Sequence, residues 1–186
     1  MLEAQQTNIT EEAVRSIVRE EIERAFKKDP AKKRMAIVAS KGTLDWAYPP
    51  LILATAGAAA GMEVSVFHTF YGLNAIHKDY EKLLKVSPVA NPGMPMPVPM
   101  PDIVTALPGM TSFATGMMKG MFKKKNVATI SELIEVALEM DVNLIACQMT
   151  MDVFGYEEKD FIEGVQFGGA AAFLSEARKS HVTLFV

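Results

Sequence analysis

The 186-residue sequence contains one cysteine, Cys147. A single thiol excludes an intrachain disulfide, a CxxC redox pair within the chain, and a zinc site built on two of its own cysteines. Histidine is scarce as well, with only His68, His77 and His181. No Ser-His-Asp pattern with a nucleophile elbow is present. No GxGxxG follows the first apolar run, and the loop SKGT at residues 40–43 lacks the long glycine spacing of a Walker A motif. Neither a cofactor nor a metal is therefore expected. Basic residues are not in excess: 19 Lys and Arg stand against 22 Asp and Glu, for a net charge of −3. Sequence-independent nucleic-acid binding is thus not expected. Long hydrophobic runs are missing too. The nearest, residues 103–118, is broken by Pro108, Gly109, Gly116 and several hydroxyls, and is too short and polar for a span. The first residues are acidic and polar, with no apolar signal core, so a cytoplasmic location is expected.

What is present reads as an α/β domain at residues 34–186, preceded by an amphipathic helix and linker at 1–33. In that helix, over residues 10–28, Val14, Ile17, Val18, Ile22 and Phe26 recur at helical spacing, and Pro30 stops the pattern. Apolar runs at 35–39, 63–68, 142–146 and 182–186 have the character of strands buried on both faces of a parallel sheet. A short strand at Phe167 is a further candidate. Helices are expected at 45–60, 72–84, 131–140, 148–153, 157–162 and 169–179, with Pro49 and Pro50 tolerated only in a first turn.

An insert at about 86–122 breaks the alternation. Its first part, VSPVANPGMPMPVPMP, carries six prolines and excludes helix and central strand. A Met-rich helical pattern follows from 102 to about 122 and ends in Lys123, Lys124 and Lys125. Three readings stay open for it. The methionines could ligate copper(I), the segment 102–125 could lie on a membrane surface, or the apolar face could be buried against a subunit or partner.

In an open parallel sheet, ligands bind beyond the carboxyl ends of the strands. Three segments emerge there: residues 40–43, residues 69–72, and Cys147 with Gln148. The thiol therefore falls at a functional edge just before a helix start, where backbone N–H groups favour thiolate. The plain alternative is a buried cysteine acting as a small hydrophobe.

The motif CQMTMDVFGY at residues 147–156 resembles the cysteine motif of the DsrE/DsrF-like sulfur-relay family. The similar branch is often labelled a predicted peroxiredoxin. FHTFYGLN at 67–74, LPGM at 107–110 with ATGMMK at 114–119, and GVQFGG at 164–169 support it. The resemblance covers about residues 34–186. It implies a three-layer α/β/α sandwich around a five-stranded, mainly parallel sheet, in a homo-oligomer. It also implies that Cys147 accepts sulfane sulfur or a thiosulfonate group and passes it to a partner thiol, such as that of a TusA-like carrier. Lys41, Thr43 and the backbone after Cys147, at Gln148, would stabilise the anionic adduct, with Tyr71 and the Met-rich helix as walls. The alternative is a non-catalytic small-ligand, membrane or protein-binding module with a structural cysteine.

Overall fold

Short apolar runs form the five strands of one sheet. The computed structural model describes residues 33–86 and 109–186. The expected helix at 10–28 and almost all of the Pro-rich run lie outside the described residues. The strands are β1 (Arg34–Ala39), β2 (Glu63–His68), β3 (Asn143–Cys147), β4 (Gln166–Gly168) and β5 (Val182–Phe185). They pair in the order β4-β3-β2-β1-β5, and every ladder is parallel. β4 is the short strand at Phe167.

The helices are α1 (Leu44–Ala59), α2 (Tyr80–Leu83), α3 (Met110–Lys124), α4 (Ile130–Glu139), α5 (Gln148–Phe154) and α6 (Ala170–Ala177). Thr129 starts α4 with a capping box. Its hydroxyl accepts the Glu132 N–H, and the Glu132 carboxylate accepts the Thr129 N–H at 2.7 Å. Thr129→Ala should cost about 1 kcal/mol, measurable as a lower midpoint in urea at unchanged slope.

Two expectations need correction. Pro49 and Pro50 lie inside α1, beyond its first turn. The helix runs through them without the N–H groups that would reach the carbonyls of Asp45 and Trp46. The expected helix at 72–84 is instead a 3-10 turn, Phe70–Ala75, followed by the single turn of α2. Between them, Lys78 N–H donates to the Asp160 carbonyl and Ile162 N–H to that of Ile76, so this backbone is tied to a distant loop rather than to itself.

Side chains alternate across the sheet as a two-residue period requires. Ile37, Val66 and Leu144 pack with Ala54 of α1, Ala137 of α4 and Met151 of α5. Ala36, Phe67 and Ile145 face the opposite way, with Phe173 of α6. The result is a three-layer α/β/α arrangement. The chain progresses in one direction from β1 to β4, and same-handed crossovers put α1, α4 and α5 on one face. From β4 it returns across the whole sheet to β5, which puts α6 on the other.

Candidate functional site

The return of the chain creates a switch point. The helix leaving β3 goes to one face, and the helix leaving β4 goes to the other. Between those two strand ends lies the crevice in which open α/β sheets bind ligands. The residues paired at its floor are Cys147 and Gly168.

Cys147 ends β3 and occupies the position before the first turn of α5. The residue is only 3% exposed. It makes no capping hydrogen bond to α5; the surrounding donors act on the ionised sulfur. Burial pushes the thiol up. Against it stand the Thr150 hydroxyl and N–H, the Thr69 hydroxyl and the Met149 N–H, which together hold it below the ordinary thiol range. No charged group of the described residues contributes.

The two hydroxyls belong to one network. Thr69 Oγ1 and Thr150 Oγ1 are 3.2 Å apart, and Phe70 N–H donates to Thr150 Oγ1 at 3.2 Å. One hydroxyl donates to the other within this pair, which leaves the second proton of the pair for the sulfur. Phe70 has φ 47°, left-handed backbone that a bulky residue adopts at a cost. The strained residue is the one whose N–H orients Thr150.

The segment carrying Thr69 and Phe70 is fixed by close approach. Thr69 N–H donates to the Ala39 carbonyl, and Gly72 N–H to that of Ser40. A Cβ on Gly72 would overlap the Ala39 carbonyl oxygen, so only glycine fits there. His68 anchors the same turn from below. It is fully buried, and its Nδ1–H donates to the Gly72 carbonyl at 3.1 Å. Nε2 is left with no partner among the described residues. Burial lowers this imidazole to about 4, with the Gly72 bond opposing the shift, so His68 is a neutral structural group and no partner base for the thiol.

Of the residues singled out in the sequence, Tyr71 stands at the rim, its exposed ring 5.5 Å from that of Phe154 on α5. Gln148 is the exposed first residue of α5. Lys41 places its ammonium 3.1 Å from the centroid of the Trp46 ring. Thr43 precedes α1 without capping it, its hydroxyl buried and unpaired among the described residues. Neither Lys41 nor Thr43 is among the groups acting on the sulfur. The Met-rich helix does not wall the thiol. Ala114, Met118 and Phe122 of α3 pack on the cluster of Leu44, Tyr48 and Ile130 instead. His77 pairs with Phe161 in a β-bridge and packs against Tyr156. The sequence placed Thr69 and Phe70 at this edge without a role for either, and did not mark Thr150. The signal for Thr150 was its position three residues after Cys147, which returns one helical turn later to the same helix end.

The site is thus a single strand-end thiol, cradled by hydroxyl and amide donors, in a doubly wound domain. The sequence profile of the DsrE/DsrF/DrsH-like family matches residues 31–185, and the chain belongs to that family. It is 50% identical over 159 residues to the sulfur carrier protein DsrE2 of Allochromatium vinosum, covering 83% of this chain and 99% of that one. It is 37% identical over 157 residues to the uncharacterized protein YrkE of Bacillus subtilis, covering 83% of this chain and 97% of the relative. The crystal structure of the YchN protein from E. coli shares the fold, with a TM-score of 0.51 at 13% identity, over 83% of this chain and 99% of that one.

Proposed function

We propose that the protein is a thiol-based sulfur carrier working through Cys147. The observation that carries this is the donor cradle that favours thiolate at the switch point. Family membership and the name of the A. vinosum relative support it. In the first step the Cys147 thiolate attacks the outer sulfur of a donor persulfide, R–S–SH. A new S–S bond forms at Cys147, the donor S–S bond breaks, and the donor leaves as R–S⁻. A partner thiolate then attacks the outer sulfur of the Cys147 persulfide, and Cys147 leaves as thiolate. Neither step needs an external oxidant or reductant.

With no second cysteine in the sequence, release to an acceptor thiol is intermolecular. A TusA-like carrier is the acceptor class we favour, and a homo-oligomer in the cytoplasm the setting. Thiosulfonate is the alternative cargo, and Lys41, Thr43 and the Gln148 backbone are the candidate partners for its oxygens.

The 3% exposure of Cys147 favours a second reading, a binding module whose cysteine is structural. Intact-mass spectrometry separates the two. After incubation with persulfide, thiosulfate or tetrathionate donors, the carrier gains about 32 or 112 Da, the masses of S and S₂O₃, on wild type and not on Cys147→Ala. An unmodified wild type, or equal loading of the variant, would sink the carrier reading.

A further inference from the structure

Two cargoes suit a thiol carrier, a single sulfane sulfur and a thiosulfonate, and they ask different things of a site. A persulfide extends the cysteine by one sulfur, at about 2 Å. That atom is large and polarizable, and sulfur packs well against aromatic and thioether side chains. A thiosulfonate adds a second sulfur with three oxygens and a fixed charge. Those oxygens are strong acceptors, and each one drawn out of water needs a donor in its place.

The surroundings of Cys147 suit the first cargo. On one side the residue packs with Phe67, Ile145 and Phe173. On the other stand only neutral donors, the Thr69 and Thr150 hydroxyls and the Met149 and Thr150 N–H groups. One hydroxyl proton is used between the two threonines, 3.2 Å apart. What remains matches one anionic sulfur and leaves nothing for three oxygens. The next side chains outward are uncharged. Phe70, whose N–H reaches Thr150, is 53% exposed, and Met149, whose N–H reaches the sulfur, is 61% exposed. Tyr71 and Gln148 beside them are exposed and uncharged as well.

The candidate partners for sulfonate oxygens are turned to other uses. The Lys41 ammonium lies 3.1 Å from the centroid of the Trp46 ring. The Thr43 hydroxyl oxygen is buried, so a molecule in the crevice does not touch it. The Gln148 N–H is not among the groups acting on the sulfur.

Resting on the carrier reading above, we propose that Cys147 takes a single sulfane sulfur and discriminates against thiosulfonate, with Phe70 and Met149 as the selecting side chains. The permitted step is attack of the Cys147 thiolate on the outer sulfur of a persulfide, R–S–SH, giving the Cys147 persulfide and R–S⁻. The disfavoured step is attack on tetrathionate, in which the central S–S bond breaks, thiosulfate leaves with the electron pair, and Cys147 carries S–SO₃⁻. The charged oxygens of that adduct would lie against Phe70 and Met149.

The test loads the full chain with glutathione persulfide or with tetrathionate and follows the gain of about 32 or 112 Da by intact mass. Each rate is divided by that of the same chain unfolded in urea, which cancels the intrinsic reactivity of the donor. The native-to-unfolded ratio should be at least about tenfold higher for the persulfide, the factor expected where a charged group lacks one hydrogen-bond donor. Met149→Lys keeps the backbone N–H and adds an ammonium at the mouth, and it should close most of that gap. A native ratio for tetrathionate equal to or above that for the persulfide overturns the cargo assignment and leaves the carrier standing. An unchanged gap in folded Met149→Lys overturns it too. Loading of the unfolded chain by both donors and of the native chain by neither would sink the carrier reading and this inference together.

Discussion

Thr150→Val should slow both alkylation and sulfur loading of Cys147 about 10- to 100-fold at neutral pH. That factor corresponds to one hydrogen bond to a charged group, about 1.5–3 kcal/mol. The substitution keeps the shape and the backbone N–H and removes the hydroxyl that accepts from Phe70 and acts on the sulfur. With its strongest hydroxyl donor gone, burial raises the thiol, and less of it is ionised at pH 7. The measurement is the iodoacetamide rate as a function of pH. The variant profile should move to higher pH and meet or exceed wild type once both thiols are ionised, because a more basic thiolate is the better nucleophile. A loss of rate at every pH would mean that the valine distorts the site. A profile superimposable on wild type would remove Thr150 from the mechanism. Thr69→Val should act in the same direction, and the pair should be non-additive because the two hydroxyls share one network.

His68 should make the protein acid-labile. The imidazole is neutral in the folded state, lowered from 6.5 to about 4 by burial. The unfolded chain protonates it below 6.5, so the unfolded state binds the extra proton. Stability is therefore fully present above pH 6.5 and is lost as the pH falls towards 4, below which both states are protonated. The gap corresponds to about 3 kcal/mol, lost at up to about 1.4 kcal/mol per pH unit. Asp79 and Glu132 are lowered, first by the Lys82 hydrogen bond and by the Thr129 N–H respectively. Their contributions are lost at more acidic pH, below their ordinary carboxylate range. His68→Gln keeps a donor for the Gly72 carbonyl and has no titration. Urea midpoints of wild type should fall between pH 6.5 and 4, while those of the variant stay nearly flat there. Parallel curves would show that His68 does not govern acid stability. The turn that His68 holds also carries Thr69 and Phe70, so in the folded protein the thiol cradle should be disturbed only as the imidazole itself protonates, near pH 4.

The sheet was legible in the sequence because buried parallel strands announce themselves as apolar runs. Residues 35–39, 63–68 and 142–146 needed only a residue's adjustment at their ends. The cysteine edge was legible for the same reason, since Cys147 closes such a run and a helix start follows. What escaped was whatever depends on distant pieces meeting. Thr69 and Thr150 are 81 positions apart, and nothing local marks either as the partner of the other. The helix at 45–60 was legible, but not that it runs on through Pro49 and Pro50, because local propensity opposes what tertiary burial of Leu51 and Ala54 sustains. The Met-rich helix was read correctly as helical, but its spacing did not say which layer it joins. The contact of Phe122 with Tyr48 decides that, and it is invisible until α1 is in place.

The long return from β4 to β5 bears on how the chain is assembled. On a ribosome, β1 to β4 emerge in the order in which they pair, each beside the last. Thr69, Cys147 and Thr150 can therefore meet before β5 has been made. β1 would then stand at the rim of a four-strand sheet with its hydrogen-bonding edge bare, inviting a wrong strand to join. Its own partner, residues Val182–Phe185, is synthesised after all four of them. Removing β5 should leave a chain that can build its thiol cradle yet associates through β1, so a strand that contributes nothing to the cradle would guard solubility.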